Sequence, residues 1–233
     1  MAARADKLLL AQALEEKARR QAQRTTVVGI VDPEKGLTHA ITNRSGEWVE
    51  TTEDHDVFIG AKLEPALRSK KRFICLIGGR GSMKSVGGVD IALIDAKDNN
   101  AKTYFLREFQ SAIKNSVYSL VKDEVKRLEF GDVFDIQATS ILKEGEDIFQ
   151  FAGIARNIQS IKSTHGFKRF EIEEAQFLSQ ESIDELTPTA RNKPNKGLPK
   201  KFTDAADDED NSLDGVQLIF IANPQSEQDP FRS

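Results

Sequence analysis

A glycine-rich segment that directly follows an apolar run constrains the fold of this chain more than any other feature. The run is Phe73–Ile77, and the eight residues after it, Gly78 to Ser85, read Gly-Gly-Arg-Gly-Ser-Met-Lys-Ser. They match the phosphate-binding (Walker A) pattern G-x-x-x-x-G-K-[ST], except that Met83 stands where the pattern has its second glycine. An apolar strand before the loop and a helical stretch after it are the context that the pattern requires. The segment therefore predicts an α/β fold whose first core strand leads into a nucleotide site.

Each part of this segment has a chemical role in the prediction. Small residues let the backbone wrap the phosphates with its N–H groups, and the helix amino terminus adds positive potential. We expect Lys84 on the β- and γ-phosphates and Ser85 as a ligand of magnesium. A methionine at position 83 either crowds the turn or reaches the nucleotide. The predicted cofactors are ATP and Mg²⁺, and the predicted contact residues are Gly78, Gly79, Arg80, Gly81, Ser82, Met83, Lys84 and Ser85.

A second motif (Walker B) supplies the acidic groups that a phosphate loop needs. Phe170-Glu-Ile172 predicts a short strand, and the pair Glu173-Glu174 follows it directly. We expect Glu173 to hold magnesium, directly or through water, and Glu174 to polarise the attacking water. Two adjacent glutamates are also typical of a solvated helix start. Their position after a phosphate loop in an α/β pattern favours the functional interpretation.

Asn223 is the third candidate, because it follows the apolar run Val216–Ile221 after one alanine. A polar residue at the carboxyl end of a parallel strand lies where open α/β sheets bind ligands. Asn223 is therefore a candidate sensor of the γ-phosphate or of the attacking water. A turn-forming Asn-Pro, with Pro224 next in the chain, explains the same residues locally.

Strands and helices alternate from residue 72 onward. This alternation predicts a mostly parallel central sheet flanked by helices. Together with the phosphate loop and the acidic pair, it indicates a phosphate-loop NTPase of the ASCE type. The continuous apolar run before the loop predicts a strand buried on both faces, with Cys75 as a small buried apolar residue. The predicted strands are 73–77, 103–106, 133–138, 147–151, 170–172 and 216–221, and the predicted helices are 110–128 and 182–190. The strands 133–138 and 147–151 are candidates for a hairpin.

The region before residue 67 differs in character from the rest. Residues 3–24 contain neither glycine nor proline and predict a helix. This helix either docks on its own domain or serves as an arm that binds a partner subunit. Its apolar stripe consists of Leu10, Leu14, Ala18 and Ala22.

A small β appendage is expected after this helix. The segments 37–42 and 48–52 are expected to pair across residues 43–46. We therefore divide the chain into a helix with a β appendage, residues 1–66, and an ATPase domain, residues 67–233.

The composition and the positions of the histidines exclude several other classes of protein. The chain of 233 residues has no apolar run long enough to cross a membrane, so no membrane contact is expected. Its net charge of −4 is not that of a dedicated duplex-binding domain, which is usually basic. His39, His55 and His165 are scattered, so no zinc site is predicted. The polar stretch 192–215 predicts a surface loop.

Taken together, the motifs resemble the ATPase domain of the large terminase subunit, the DNA-packaging motor of tailed phages. The resemblance runs from about residue 70 to the end of the chain. The segments that carry it are Gly78–Ser85, Leu106–Gln110, Ile161–Gly166, Glu171–Gln176 and Ala222–Pro224.

The resemblance implies roles and partners beyond those deduced from the residues. Arg80 would contact the γ-phosphate, Glu174 would be the catalytic glutamate, and Asn223 would belong to the motif that couples hydrolysis to motion. The implied partners are double-stranded DNA, the portal protein, the small terminase subunit and further copies of the chain in a ring on the portal. The implied location is the cytoplasm of the infected bacterial host.

Two departures from the family pattern accompany the resemblance. Met83 replaces a small residue of the loop. A large terminase also carries a C-terminal nuclease domain of the RNase H type, and no residue follows Ser233 in this sequence. We therefore expect either an excised fragment or a naturally split polypeptide, without nuclease activity of its own.

Two other functions compete with a packaging ATPase. One is a stand-alone phosphate-loop NTPase or kinase that acts on a small substrate. The other is a degenerate, non-catalytic phosphate-loop protein used for assembly, with Met83 blocking the nucleotide.

Overall fold

The computed structural model describes residues 25–44, 47–109, 113–163, 166–189 and 216–223. The predicted helix over residues 3–24 and the predicted loop over residues 192–215 lie outside the described residues, as do His165 and Pro224.

The strands, in chain order, are β1 Val27–Asp32, β2 Gly36–Arg44, β3 Glu47–Thr51, β4 Val57–Gly60, β5 Phe73–Ile77, β6 Lys102–Arg107, β7 Asp135–Ile136, β8 Ile141–Lys143, β9 Glu146–Asp147, β10 Phe149–Gly153, β11 Phe167–Ile172 and β12 Gln217–Ala222. The helices are α1 Glu64–Arg68, α2 Lys84–Asn99, α3 Ile113–Arg127, α4 Ile154–Ser163 and α5 Gln180–Thr189. Two 3-10 turns, Ala61–Leu63 and Ala175–Phe177, complete the elements of the described residues. No described helix combines the length and the apolar character that crossing a membrane requires.

A five-stranded parallel sheet forms the centre of the molecule, in the order β10-β6-β11-β12-β5. Its strands carry apolar side chains on both faces, and each face is covered by two helices. One face packs against α2 and α3 in a core that contains Phe105 and Ile219. The other face packs against α4 and α5 in a core that contains Leu106 and Leu218. The predicted α/β fold, with helices on both faces of a parallel sheet, is therefore confirmed.

The strand before the glycine-rich segment has a different position from the predicted one. β5 is the outer strand of the sheet and pairs only with β12 among the described strands. Phe73 is 46% exposed, Ile77 is 53% exposed, and Cys75 is exposed as well. The prediction of a strand buried on both faces, with a buried Cys75, was wrong. An apolar run identifies a strand but does not reveal whether a neighbour covers its second edge.

The predicted hairpin between residues 133–138 and 147–151 was also wrong. β7 pairs with β8, and β8 pairs with β9, in a separate antiparallel sheet. The turn between β8 and β9 uses two left-handed residues, Glu144 at φ 54° and Gly145 at φ 82°. The next strand, β10, then joins the central sheet in parallel with β6.

The amino-terminal strands form a four-stranded sheet in the order β3-β2-β1-β4. β2 and β3 pair antiparallel through Asn43 and Trp48, which confirms the expected pairing across residues 43–46. The inner face of this sheet packs on α2, and Val28 and Ile30 belong to the same core as the helices α2 and α3. At the edge of this contact, Asn43 Nδ2 donates a hydrogen bond of 2.6 Å to Asp95 Oδ1 of α2. The helix that follows the glycine-rich segment is thus held between two sheets.

Candidate nucleotide site

The predicted site segments meet at the carboxyl edge of the central sheet. The glycine-rich loop follows β5, the acidic pair follows β11, and Asn223 follows β12. Backbone hydrogen bonds join these ends: Gly78 N–H donates to the carbonyl of Ala222 at 3.3 Å, and Glu173 N–H donates to the carbonyl of Leu106 at 2.8 Å. The parallel topology alone produces this meeting, because all five strands end at the same edge.

The loop turns tightly through two left-handed residues. Gly81 has φ 76° and Met83 has φ 61°, and α2 begins at Lys84 directly afterwards. A β-carbon at Gly78 would lie 2.9 Å from Ser82 Oγ and 3.3 Å from Ser82 Cβ, so a larger residue there would displace the Ser82 side chain. Met83 has adopted the backbone conformation that a glycine takes easily, and its side chain is 60% exposed. Met83 was expected either to crowd the turn or to reach the nucleotide. The turn forms with the methionine in place, so Met83 does not prevent it.

The charged residues of the loop differ in their surroundings. Lys84 Nζ donates to the carbonyl of Gly79 at 3.0 Å and to Ser82 Oγ at 3.5 Å, so its ammonium lies over the loop backbone. Arg80 is exposed at the turn of the loop. Both cations thus lie on the segment whose backbone N–H groups are predicted to meet phosphates.

Ser85 and Glu173 form the centre of the site, although 88 residues separate them in the chain. Ser85 Oγ donates a hydrogen bond of 3.0 Å to Glu173 Oε2. Glu173 is only 5% exposed, and its second oxygen, Oε1, is buried without a hydrogen-bond partner in the described part of the chain. Burial raises the pKa of Glu173, while the Ser85 hydrogen bond and the charge of Arg107 lower that pKa. A hydroxyl beside a carboxylate with an unused oxygen is a donor set that suits a hard cation such as Mg²⁺.

Glu174 lies beside this pair and faces solvent. Its backbone is left-handed, at φ 52°, and its side chain is 50% exposed. The carboxylate forms an ion pair with Arg107, the last residue of β6, whose side chain is 13% exposed. The ion pair holds an accessible carboxylate next to the Ser85–Glu173 pair.

Arg107 and Gln176 are two residues of this site to which the sequence analysis assigned no role. Arg107 shows the same signal as Glu173, a charge directly after an apolar strand at the carboxyl edge. Gln176 Oε1 accepts a hydrogen bond of 3.0 Å from the backbone N–H of Asn223. This bond links the end of β12 to the 3-10 turn that follows Glu174. Asn223 therefore lies at the predicted edge and is connected to the acidic segment.

A close approach of α2 to β11 aligns the two halves of the site. A β-carbon at Gly88 would lie 2.4 Å from Glu171 Oε1 and 2.8 Å from Ile221 Cδ1. Glu171 is fully buried, and burial, followed by the charge of Glu173, raises its pKa well above the ordinary value. Since Gly88 lies one turn after Ser85, this contact sets the distance between Ser85 and the strand that leads to Glu173.

Comparisons with known proteins found a matching family and similar solved structures. A family model described as phage terminase large subunit matches residues 70–229. The fold is similar to the N-terminal domain of the DNA packaging ATPase from bacteriophage phi29, with a TM-score of 0.52 and 14% identity over 72% of this chain and 81% of that one.

A second similar structure is the large terminase of the thermophilic bacteriophage D6E, with a TM-score of 0.48 and 15% identity. The match covers 70% of this chain but only 36% of the D6E protein. No curated protein sequence matches the chain. The family match extends over more than half of the residues and includes every predicted site residue, so the chain belongs to the phage terminase large subunit family.

Proposed function

We propose that this chain is the magnesium-dependent ATPase part of a terminase large subunit, which uses ATP hydrolysis to move double-stranded viral DNA into a procapsid. The observation that carries the proposal is the contact between Ser85 and Glu173, with Lys84 and Glu174 beside it at one sheet edge. Such an arrangement combines a phosphate cradle, a cation site and a candidate base at one edge of the sheet.

Each residue of the site has its own role in the proposed reaction. The loop backbone from Gly78 to Met83 and the Lys84 ammonium bind the phosphates, and Arg80 is the candidate contact of the γ-phosphate. Ser85 and Glu173 would hold Mg²⁺, which would supply positive charge beside the phosphates.

Glu174 accepts the proton of the attacking water, and Arg107 orients its carboxylate. Asn223, through Gln176, connects the acidic segment to the end of β12. A change in the position of Glu174 would therefore be transmitted to that strand.

The proposal includes assembly with other parts of a packaging motor. We place the chain in a ring of copies on the portal protein, with the small terminase subunit and DNA as partners, in the cytoplasm of the infected host. The carboxyl edge supports this assembly because three exposed apolar side chains lie on the segments that form the site: Met83, Phe109 and Phe177 at 60%, 66% and 56% exposure. Apolar side chains beside a charged site are typical of a surface that a partner covers.

Lys84→Ala tests the proposal. The variant should lose ATP hydrolysis, because the phosphates lose their cationic partner, and wild-type hydrolysis should require added Mg²⁺. Lys122→Ala, which changes an exposed lysine of α3, is the matched control and should keep full activity. Unchanged turnover in Lys84→Ala would contradict the loop assignment.

Nucleotide binding separates the competing functions. A wild-type chain that binds no ATP at millimolar concentration would favour the non-catalytic assembly protein. Hydrolysis that portal, DNA and the small subunit leave unchanged would favour a stand-alone NTPase.

A further inference from the structure

The amino-terminal sheet and the turn after it contact α2 at three points along its length. Near the end of the helix, the Thr26 hydroxyl donates a hydrogen bond of 2.8 Å to Asp98 Oδ1. In the middle, Asn43 donates to Asp95. At the start, the 3-10 turn Ala61–Leu63, which follows β4 directly, lies against the first turn of the helix. The position of the whole helix, including its start at the glycine-rich loop, therefore depends on this part of the chain.

The contact at the start of the helix joins Leu63 to the backbone of Gly87. Leu63 Cδ1, Cδ2 and Cγ lie 2.2, 2.9 and 3.1 Å from the point that a β-carbon of Gly87 would occupy. The leucine side chain therefore fills the space that a larger residue at position 87 would need. Gly87 N–H donates a hydrogen bond of 2.8 Å to the carbonyl of Met83, which connects this contact to the turn of the loop. Ser85 lies between the two residues that this bond joins.

The residue after Leu63 attaches it to the sheet. Glu64 Oε1 lies 2.9 Å from His39 Nε2 of β2 and accepts a hydrogen bond of 2.8 Å from Arg68 Nε. Both contacts are partly buried. While they persist, the backbone of Leu63 cannot move away from Gly87.

The first turn of α2 is contacted from a second direction by β11. A β-carbon at Gly88 would meet Glu171, and adjacent residues of a helix point about 100° apart. The turn thus lies between Leu63 and the strand that leads to Glu173. Loss of the leucine contact would let the turn shift away from that strand, and Ser85 would shift with it.

We propose that Leu63 is a positioning residue of the nucleotide site, which sets the place of Ser85 through the backbone of Gly87. This role rests on the proposed function, in which Ser85 holds Mg²⁺. Leu63 precedes residue 70, where the match to the terminase family begins. A part of the chain outside that match therefore supplies a residue on which the cation site depends.

Equilibrium binding of ATP, measured with Mg²⁺ and with EDTA, tests this role. Leu63→Ala should reduce the gain in ATP affinity that Mg²⁺ brings by roughly 10-fold, because the support behind a metal ligand is removed, and should leave binding in EDTA unchanged. Leu120→Ala is the matched control, because Leu120 of α3 is also a partly buried leucine packed on the same core. The control should keep the full Mg²⁺ effect. A folded Leu63→Ala protein with the full Mg²⁺ effect would overturn the proposal.

A second substitution at Gly87 tests whether the contact itself is responsible. In the double variant Leu63→Ala/Gly87→Ala, the new methyl group enters the space that Leu63 Cδ1 occupied, so contact with the helical turn returns. The double variant should regain most of the Mg²⁺ effect. A double variant that binds like Leu63→Ala alone would count against the proposal.

Hydrogen exchange without nucleotide gives a measurement that does not depend on ATP binding. Because the Gly87 amide is bonded to Met83, Leu63→Ala should accelerate its exchange by roughly 10-fold, and Leu120→Ala should leave the rate near that of the wild type. Unchanged exchange in Leu63→Ala would overturn the positioning role even if ATP binds. Accelerated exchange in a protein whose wild type binds no ATP with Mg²⁺ would instead contradict the proposed function, while the contact of Leu63 with the helix would stand.

Discussion

Two non-glycine residues of the site, Met83 and Glu174, hold left-handed backbone conformations, at φ 61° and 52°. A left-handed conformation costs an ordinary residue about 1–2 kcal/mol relative to its preferred state, so it persists where the surrounding structure imposes it. In both cases the next residue begins a helix or a 3-10 turn. The left-handed backbone thus turns Met83 and Glu174 outward at the carboxyl edge, where ATP hydrolysis would take place.

Glu174→Gln should keep ATP binding and lower turnover by roughly 100-fold or more, because the amide cannot accept the proton of water. Single-turnover hydrolysis and equilibrium nucleotide binding are the two measurements. Glu129→Gln is a suitable control, since Glu129 is another exposed glutamate with positive φ, at 57°. Equal turnover for wild type and Glu174→Gln would exclude the role of general base.

Met83→Gly should leave the free energy of unfolding nearly unchanged. The relief of about 1–2 kcal/mol of left-handed strain is offset by the greater freedom of glycine in the unfolded chain, about 0.5–1 kcal/mol. Met83→Val should lower the free energy of unfolding by about 1–2 kcal/mol, because a β-branched residue tolerates positive φ poorly. Chemical denaturation of the three proteins checks this, and equal stability of the valine variant would contradict the left-handed turn.

At the scale of elements, the position of α2 decides whether the site exists. The helix lies between the amino-terminal sheet and the central sheet, and glycines at its start allow close contact on both sides. A β-carbon at Gly87 would lie 2.2 Å from Leu63 Cδ1, and one at Gly88 would meet Glu171. Both glycines lie within three residues of Ser85, so helix packing and loop geometry are set together.

Gly88→Ala should destabilise the protein by about 1–3 kcal/mol and reduce ATPase activity. The added methyl group meets a fully buried carboxyl and Ile221, so α2 must move away from β11 and Ser85 from Glu173. Gly131→Ala is the control, because a β-carbon there has no neighbour within 4 Å. A folded Gly88→Ala protein of wild-type stability and activity would contradict the tight contact.

Asp90 makes the packing of α2 on α3 dependent on pH. Burial raises the pKa of Asp90 to about 7, although Arg127 of α3 donates to it at 2.6 Å and lowers that pKa. The folded-state pKa is therefore above the unfolded value. The stability that the protonated carboxyl contributes is present at low pH and is lost as the pH rises through about 7.

Asp90→Asn should abolish this loss of stability at higher pH. We expect wild-type stability to fall by on the order of 1–2 kcal/mol between pH 5 and pH 8, and the asparagine variant to give a flatter profile. Denaturation at several pH values in this range is the measurement, with Asp123→Asn, an exposed residue of α3, as the control. Parallel profiles for wild type and Asp90→Asn would show that another group titrates.

The sequence pattern predicted the local elements around the site but not their neighbours. The strand, loop and helix of the motif could be predicted from their own residues, because the periodicity and the phosphate-loop pattern involve only residues that are close in the sequence. The outer position of β5 and the ion pair of Arg107 with Glu174 depend on strand order, which joins residues far apart in the chain. Helix α4 was likewise not predicted.

At the scale of the whole molecule, we propose that copies of the chain meet through the exposed apolar side chains at the carboxyl edge. Phe177, in the turn after Glu174, is 56% exposed and forms part of that surface. An interface there would bring the nucleotide site of one copy against its neighbour. This placement predicts that self-association and ATP hydrolysis are linked.

Phe177→Ser should weaken self-association by roughly 10-fold, since burying the exposed half of a phenylalanine contributes about 1–2 kcal/mol. Sedimentation of the chain over a range of concentrations, with specific ATPase activity measured in parallel, checks this. Phe73→Ser is the control, because Phe73 starts β5 at the opposite edge of the sheet. Identical association of both variants would contradict an interface at the carboxyl edge.

The outer position of β5 also gives the chain a natural attachment point for a probe. Cys75 is the only cysteine of the sequence, is exposed, and lies three residues before Gly78. A maleimide dye on this thiol would report on the loop without any engineered substitution. Partial burial raises the pKa of the Cys75 thiol, so its reaction should speed up as the buffer becomes more alkaline.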